Sequence, residues 1–151
     1  MSLELQPMRW WHIEPVMVLE RTLFVDDAWT DTMFWSELAE PATRHYVVAT
    51  DGDALVGYAG LCAYDAGEAY VQTIGVDTAR RREGIGTSLL VDLLDEAARR
   101  GCLRVDLEVR DGNEEAIRLY EKHRFRRVGV RRGYYQPSGA DAVVMRRDAT
   151  A

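Results

Sequence analysis

A chain of 151 residues with a net charge of −6 and two cysteines has the size of one domain and can bury a hydrophobic core. The acidic balance argues against nucleic-acid binding, because such binding depends on Lys and Arg contacts to phosphates. Since Cys62 and Cys102 lack CxxC spacing, neither a disulfide framework nor a metal site is predicted, and both are interpreted as small buried hydrophobic residues.

The N-terminal segment argues against export. Glu4, Arg9, Glu14 and Pro15 occupy the place where a signal peptide has an apolar stretch, and no apolar run reaches the roughly 18 residues of a membrane span. We therefore predict a cytoplasmic protein without membrane association, forming a single domain over residues 1–151. The charge is uneven, because residues 1–79 carry 3 Arg and 13 acidic residues whereas residues 80–151 carry 16 Lys plus Arg and 12 acidic residues.

Hydrophobic periodicity predicts the elements of the first half. A short strand around Leu5 precedes a helix over residues 12–24, and a second short helix ends before Pro41. Residues 45–64 form a hairpin around Asp51-Gly52, a dipeptide that such turns favour. A further strand spans residues 68–76.

In the second half, Gly84-Ile85-Gly86 opens a helix that stops at Gly101. Its apolar positions lie on one face: Leu89, Leu90, Leu93, Leu94 and Ala97. Residues 103–109 alternate with strand period. Asn113 is predicted to cap a helix that turns Ala116, Ile117, Leu119 and Tyr120 inward. Two last strands, residues 126–136 and 141–148, flank the turn Pro137-Ser138-Gly139.

A glycine loop stands where a strand gives way to a helix. Gly84-Ile85-Gly86 leaves the amides of the first helical turn unpaired at the positive end of the helix dipole, which predicts binding of an anion, most simply a phosphate. The loop lacks the Lys of a P-loop, and Leu89 replaces the third Gly of a dinucleotide fingerprint. The preceding Arg80-Arg81-Arg82 supplies cations, although an arginine run is also typical of a solvated loop.

The compound pattern Arg81-x-x-Gly84-x-Gly86 resembles the GNAT acyltransferases, whose [QR]xxGx[GA] loop holds the diphosphate of coenzyme A. The resemblance covers nearly the whole chain. Within the family, the chain is similar to the RimI-type branch, which acetylates the N-terminal amine of a ribosomal protein. The resemblance is carried by four segments: residues 23–40, 74–101, 107–125 and 133–145.

This resemblance implies a GNAT fold, namely a mixed, mostly antiparallel twisted sheet of about six or seven strands with helices on both faces. It implies acetyl-CoA as co-substrate, no metal, and a protein or peptide N-terminus as partner, and it leaves the oligomeric state open. The implied cofactor contacts are Ile74, Gly75, Val76, Arg81, Arg82, Glu83, Gly84, Ile85, Gly86, Thr87 and Asn113. Glu108 matches the proposed general base and Tyr120 the general acid.

Amine chemistry agrees with these assignments. An α-amine with a pKa near 8 is partly neutral at pH 7, so one carboxylate is sufficient help for its attack on a thioester. Glu108 lies at the carboxyl end of a strand. Each residue also has a purely structural interpretation: Glu108 as a strand residue that faces solvent, and Tyr120 as a core tyrosine. We also expect a bulge near Gly75 to free the Val76 amide for a developing oxyanion.

The acceptor is less constrained by the sequence. The adjacent Tyr134 and Tyr135 favour a peptide, because two tyrosines can bracket its backbone, although they are also ordinary β-sheet aromatics. Two other hypotheses stay open: a small-molecule acetyltransferase for polyamines or aminoglycosides, and a non-catalytic module that binds acyl-CoA. The chain departs from the family at Arg124, where Gly is usual, so the end of the last helix is expected to be looser or differently shaped.

Overall fold

The computed structural model describes residues 2–65 and 67–148, which form a seven-stranded sheet and four α-helices. The strands are β1 Leu3–Pro7, β2 Arg44–Asp51, β3 Ala54–Asp65, β4 Glu68–Val76, β5 Arg104–Arg110, β6 Arg126–Arg131 and β7 Ala142–Asp148. The helices are α1 Ile13–Leu23, α2 Asp31–Leu38, α3 Ile85–Arg99 and α4 Glu114–Lys122. The single-domain prediction includes residues 1, 66 and 149–151, which lie outside the described residues, and it stays a prediction. None of the described helices is both long and apolar enough to cross a membrane.

The strand order is β1-β2-β3-β4-β5-β7-β6, and every neighbouring pair is antiparallel except β4 and β5. Successive residues of β2 point to opposite faces of the sheet. Val47 and Ala49 pack in one core cluster with α3 and α4, whereas Tyr46 and Val48 pack in a second cluster with α1 and α2. The predicted mixed, mostly antiparallel sheet with helices on both faces is therefore confirmed.

The parallel pair β4–β5 is short. It runs from Glu68 opposite Arg104 to Val71 opposite Leu107, and beyond these positions the two strands no longer pair. Both strands nevertheless continue, β4 to Val76 and β5 to Arg110. The carboxyl ends of two neighbouring parallel strands therefore diverge and leave a gap in the middle of the sheet.

Helix α3 follows its predicted pattern. The five apolar positions of its predicted stripe are all buried: Leu89, Leu90, Leu93, Leu94 and Ala97. Gly84, with φ of 82°, is the N-cap, and Gly101 is left-handed beyond the C-terminus, with φ of 77°. Cys62 and Cys102 are both buried and free, as predicted.

The predicted strand over residues 126–136 is wrong beyond Arg131. Gly133 has φ of 61°, and its N–H donates to Asp141 Oδ1 at 2.8 Å instead of to a neighbouring strand. Tyr135 N then donates to Ala140 O at 3.1 Å. Residues 132–141 are therefore a closed loop between β6 and β7, and Tyr134-Tyr135 lie in this loop.

The end of α4 keeps the shape that a glycine would adopt. Arg124 has φ of 70°, and its N–H donates to Glu121 O at 3.0 Å. Phe125 N donates to Tyr120 O at 3.1 Å, which completes a Schellman motif. The expectation of a looser or differently shaped end is therefore wrong. The chain accepts a left-handed arginine, and buried Phe125 holds the motif closed.

We expect Arg124→Gly to raise the free energy of unfolding by about 1 kcal/mol relative to Arg124→Ala. Both variants lose the side chain and its contacts, but only Ala keeps the Cβ that disfavours the left-handed conformation. Urea denaturation of the two variants measures the difference. Equal free energies of unfolding would contradict the assignment of a backbone cost to Arg124.

Candidate active site

The glycine loop forms one end of the site. Gly84 caps α3 without a side-chain hydrogen bond. The first intrahelical bond runs from Ser88 N to Gly84 O at 3.0 Å, so the amides of residues 85–87 have no partner within the helix. Arg80 is engaged by Asp51 at 2.6 Å and by Glu83 at 3.1 Å. The loop therefore offers amides and the helix dipole to an anion, while Arg80 holds the loop in place.

The free edge of β4 supplies further hydrogen-bonding groups. Asp77 N donates to Val56 O on β3 at 2.9 Å, and the register is regular at this end of β4. Because hydrogen bonding alternates along an antiparallel pair, Gly75 turns its amide toward β3, whereas Ile74 and Val76 turn theirs to the opposite edge. That edge is the gap left by β5.

The bulge predicted near Gly75 lies elsewhere. The register between β3 and β4 shifts between Gly60 and Leu61, whose partners are Thr73 and Val71, so Gln72 is the extra residue. The amide of Val76 is free because β5 diverges, and a local bulge is not needed for it.

Two adjoining cavities, of about 520 and 470 Å³, follow this gap. Those predicted residues that line the first are Ile74, Val76, Arg81, Arg82, Gly84, Ile85, Thr87, Asn113 and Tyr120. Those that line the second are Ile74, Glu108, Asn113, Tyr120 and Tyr135. Tyr120, Ile74 and Asn113 belong to both, so the glycine loop and the carboxylate of β5 face one continuous cleft.

Four predicted contacts are not among the lining residues: Gly75, Glu83, Gly86 and Tyr134. The carboxylate of Glu83 is paired with Arg80, so only its backbone remains as a predicted contact. Asn113 caps α4 by accepting from Ala116 N at 3.3 Å, which agrees with its predicted cap and occupies its side-chain oxygen.

Glu108 is a buried carboxylate with free lone pairs. Its side chain is 3% exposed, and neither oxygen accepts a hydrogen bond within the described part of the chain. Arg131 Nε lies 3.1 Å from Oε1, but its N–H is not aimed at the carboxylate. Burial raises the pKa of Glu108, and the charge of Arg131 partly offsets this. A carboxylate with a raised pKa and open lone pairs can accept a proton.

Tyr120 and Tyr135 line the same cavity as this carboxylate, and Tyr134 is next to Tyr135. Tyr120 is 8% exposed, and burial raises its pKa to about 12, so it is a neutral donor at physiological pH. Tyr134 and Tyr135 stand edge to face, with ring centroids 5.0 Å apart. Burial also raises the pKa of both Tyr134 and Tyr135, with a smaller contribution from the charge of Glu108.

A second buried carboxylate, Glu20 of α1, lines the same cleft and was not predicted as a site residue. It is 2% exposed, and both oxygens are occupied, one by Tyr58 OH at 2.5 Å and the other by Trp29 N at 2.9 Å. Burial raises the pKa of Glu20, against the opposing effect of these bonds. A polar residue on the otherwise apolar face of α1 was the signal that could have revealed it.

Two cross-strand tyrosine–glycine pairs position the polar wall of the cleft. Tyr58 faces Gly75, where a Cβ would lie 2.4 Å from the ring, and it holds Glu20. Tyr46 faces Gly60, where a Cβ would lie 2.2 Å from the ring. The hydroxyl of Tyr46 lies 2.7 Å from Gln72 Oε1, at the bulge that lines the cleft. In both pairs, glycine leaves the space that lets the ring lie flat on the neighbouring strand.

Asp27, in the connection between α1 and α2, also lines the cleft. Its side chain is 5% exposed and lies 2.7 Å from Arg110 Nη1. Ser138, in the loop of residues 132–141, donates to it from Oγ at 2.8 Å and from N at 3.1 Å. Burial acts to raise the pKa of Asp27, but the bonds from Ser138 and the ion pair lower it overall.

Comparison with known proteins agrees with this arrangement. Residues 6–125 match the acetyltransferase (GNAT) family. The chain belongs to that family. It is 50% identical over 135 residues to N-alpha-acetyltransferase RimI of Mycobacterium tuberculosis, covering 87% of this chain and 83% of that protein. It is also 41% identical over 80 residues to the [ribosomal protein bS18]-alanine N-acetyltransferase of Escherichia coli K12, covering 52% of this chain and 54% of that protein.

A solved structure shares the whole fold. The crystal structure of the ribosomal-protein-S18-alanine N-acetyltransferase from Escherichia coli superposes with a TM-score of 0.85 at 28% identity, covering 98% of this chain and 94% of that chain. The predicted family and the predicted enzyme class, an acetyltransferase of the GNAT type, are therefore confirmed.

We expect Glu108→Gln to stabilise this GNAT domain at about pH 8, by on the order of 1 kcal/mol, because it removes a buried charge without hydrogen bonds. A carboxyl pKa that is raised in the folded state costs stability above that pKa. The cost disappears below the unfolded value of about 4.3, where both states are protonated. The gain should therefore shrink toward about pH 4.

Urea unfolding at the two pH values measures this dependence. The matched control is Glu40→Gln, which removes an exposed carboxylate and should change the free energy of unfolding by less than about 0.5 kcal/mol. A stability gain at Glu108 that did not depend on pH would contradict the assignment.

Proposed function

We propose that this protein transfers an acetyl group from acetyl-CoA to the free N-terminal α-amine of a protein, and that its substrate is a ribosomal protein that begins with Ala or Ser. One observation carries the proposal. Of the three buried carboxylates that line the cleft, Glu20 and Asp27 are saturated with hydrogen bonds or ion pairs, whereas Glu108 keeps open lone pairs. The substrate class rests on similarity to the enzymes from M. tuberculosis and E. coli, and it would place the reaction in the cytoplasm.

Acetyl-CoA would supply the acetyl group as a thioester. Its diphosphate would meet the open amides of residues 85–87, with Arg81 and Arg82 on the cavity wall. The edge groups of Ile74 and Val76 suit the amide-bearing pantetheine arm, because an extended chain with amides can replace the missing strand contacts there.

The residues of the second cavity would serve the transfer. The amine nitrogen forms a bond to the acetyl carbon while the carbon–sulfur bond breaks. Glu108 accepts the proton that leaves the amine, and Tyr120 donates a proton to the departing sulfur, which its neutral hydroxyl can do. The amide of Val76 is a candidate donor to the carbonyl oxygen as negative charge develops on it.

A single weak base selects the type of amine. An α-amine has a pKa of about 8 and a lysine side chain about 10.4, so freeing a lysine at neutral pH costs roughly 3 to 4 kcal/mol more. Tyr134 and Tyr135, with the loop that Asp27 holds down, frame the entrance. This favours an extended peptide end over a lysine that would need a stronger base.

We expect Gly86→Leu to weaken acetyl-CoA binding at least tenfold while the protein remains folded. A Cβ at Gly86 would lie 3.5 Å from Leu119 and 3.7 Å from Val76, so a longer side chain must enter the cavity that these residues line. The matched control is Gly86→Ala, which should bind nearly normally and gain about 0.5 to 1 kcal/mol from helix propensity. Calorimetry that found unchanged affinity in Gly86→Leu would contradict the proposed phosphate loop.

The function itself is tested with a short peptide that has a free N-terminal Ala and an internal Lys. We expect one acetyl group, located at the N-terminus by fragment mass spectra. Glu108→Gln should slow the transfer by about 10² to 10⁴-fold, and Tyr135→Ala should raise KM for the peptide without changing acetyl-CoA affinity.

Two outcomes would replace the proposal. Acetylation of the internal lysine, or of spermidine in preference to the peptide, would favour a different acceptor class. Binding of acetyl-CoA without transfer to any of these amines would instead indicate a non-catalytic acyl-CoA-binding module.

A further inference from the structure

Arg131, the last residue of β6, lies beside Glu108 of the cleft. Its Nε lies 3.1 Å from Glu108 Oε1 while 59% of its side chain remains exposed. Its guanidinium carbon lies 5.8 Å from the centroid of the Tyr134 ring. Among the described residues, it is the only cation within 4.0 Å of Glu108. The pair therefore joins an exposed cation to a buried anion.

The pair acts by charge and not by a directed hydrogen bond. Although the distance is short, neither oxygen of Glu108 accepts a hydrogen bond from the described part of the chain. Glu20, in contrast, is fixed by two donors. Glu108 thus keeps its lone pairs for an incoming proton donor while a positive charge stays beside it, and this combination suits a base that must be ionised before the substrate arrives.

The other titratable groups around Glu108 do not supply that charge. The pKa values of Tyr120, Tyr134 and Tyr135 are all raised, chiefly by desolvation, although the Tyr134 side chain is partly exposed, so all three are neutral at physiological pH. Glu20, which lines the same cleft, is an acidic residue and cannot supply positive charge. The guanidinium of Arg110 on the same strand is taken up by Asp27 at 2.7 Å. Among the residues that the structure describes, Arg131 is therefore the cation next to Glu108 that no second carboxylate pairs with.

We propose that Arg131 is a positioning residue for the transfer reaction: its charge keeps Glu108 ionised in the free enzyme and disfavours a second cation beside it, so the acceptor amine is received in its neutral form. Without Arg131, the effect of burial, which raises the pKa of Glu108, would act without the opposing charge, and a protonated carboxyl cannot accept the proton that the amine must lose. This inference rests on the proposed function and adds a residue outside the acid, the base and the phosphate loop.

The test is the pH dependence of kcat/KM for the Ala peptide, between about pH 5 and 9, in Arg131→Ala, Arg131→Gln and Arg131→Lys. A nearby opposite charge lowers a carboxyl pKa by roughly 1 to 3 units, and exposure of Arg131 favours the low end. Arg131→Ala and Arg131→Gln should therefore move the acidic limb of the kcat/KM profile to higher pH by about one unit. Below the limb, kcat/KM should fall roughly tenfold, and at high pH it should recover.

Arg131→Lys should restore the limb close to that of the wild type, because it restores the charge. The matched control is Arg132→Ala, which removes the neighbouring arginine, 88% exposed and 3.7 Å from Asp141, and should leave the limb in place. Added salt should shift the wild-type limb in the same direction as Arg131→Ala, since the exposed cation is screened. An unchanged limb in Arg131→Ala, or a lysine variant no better than alanine, would overturn the proposal.

A second measurement does not depend on activity. The carboxyl carbon of Glu108, labelled with ¹³C and assigned by comparison with Glu108→Gln, can be titrated by NMR in the free protein. We expect its midpoint to rise in Arg131→Ala and to return in Arg131→Lys. If the peptide is not acetylated by the wild type, the proposed function fails, and this titration still decides the role of Arg131.

Discussion

The rest of the structure depends on the separation of two parallel strands. Pairing between β4 and β5 stops at Val71 and Leu107 although both strands continue. A sheet interrupted in its interior leaves backbone groups that need partners, because buried N–H and C=O groups are rarely left unpaired. The gap also aims the carboxyl ends of both strands, the first turn of α3 and one face of α4 at a common space. The chemistry follows from this single interruption.

Within that space, three carboxylates differ by their hydrogen bonds more than by their burial. Glu20 joins α1 to β3 and to the α1–α2 connection through Tyr58 and Trp29. Asp27 joins the same connection to the loop before β7. The side chain of Glu108 joins no other element by a hydrogen bond within the described chain. Two acids therefore build the walls, and the third is left available, which is a division of roles that composition alone does not reveal.

The sequence predicted correctly those features that depend only on residues close together in the chain. The apolar stripe of α3, its glycine boundaries and the Asn113 cap each depend on a few neighbouring residues, and all were correct. The extent of the last strand was wrong, because β6 ends where Gly133 turns toward Asp141, a residue further along the chain. The left-handed Arg124 was also misjudged, since the Schellman bonds and Phe125 override the preference of its side chain.

Features that depend on contacts across the sheet were missed. The bulge was expected at Gly75 but lies at Gln72, where Tyr46 of β2 reaches over Gly60. Glu20 and Arg131 gain their roles only when distant elements meet, and no spacing in the sequence brings them to Glu108. The family resemblance supplied the base, the acid and the loop. It did not supply the groups that hold them.

The two tyrosine–glycine pairs limit how this protein can change over evolution. Gly60 cannot gain a side chain while Tyr46 is present, and Gly75 cannot while Tyr58 is present, because each Cβ would overlap a ring. The hydroxyl of Tyr58 donates to Glu20, and the hydroxyl of Tyr46 lies 2.7 Å from both Gln72 Oε1 and Glu37 Oε1. A side chain at either glycine is therefore tolerated only after its partner tyrosine has been replaced by a smaller residue. In an alignment of relatives, Tyr46, Gly60 and Gln72 should vary together as one group, and Tyr58, Gly75 and Glu20 as another.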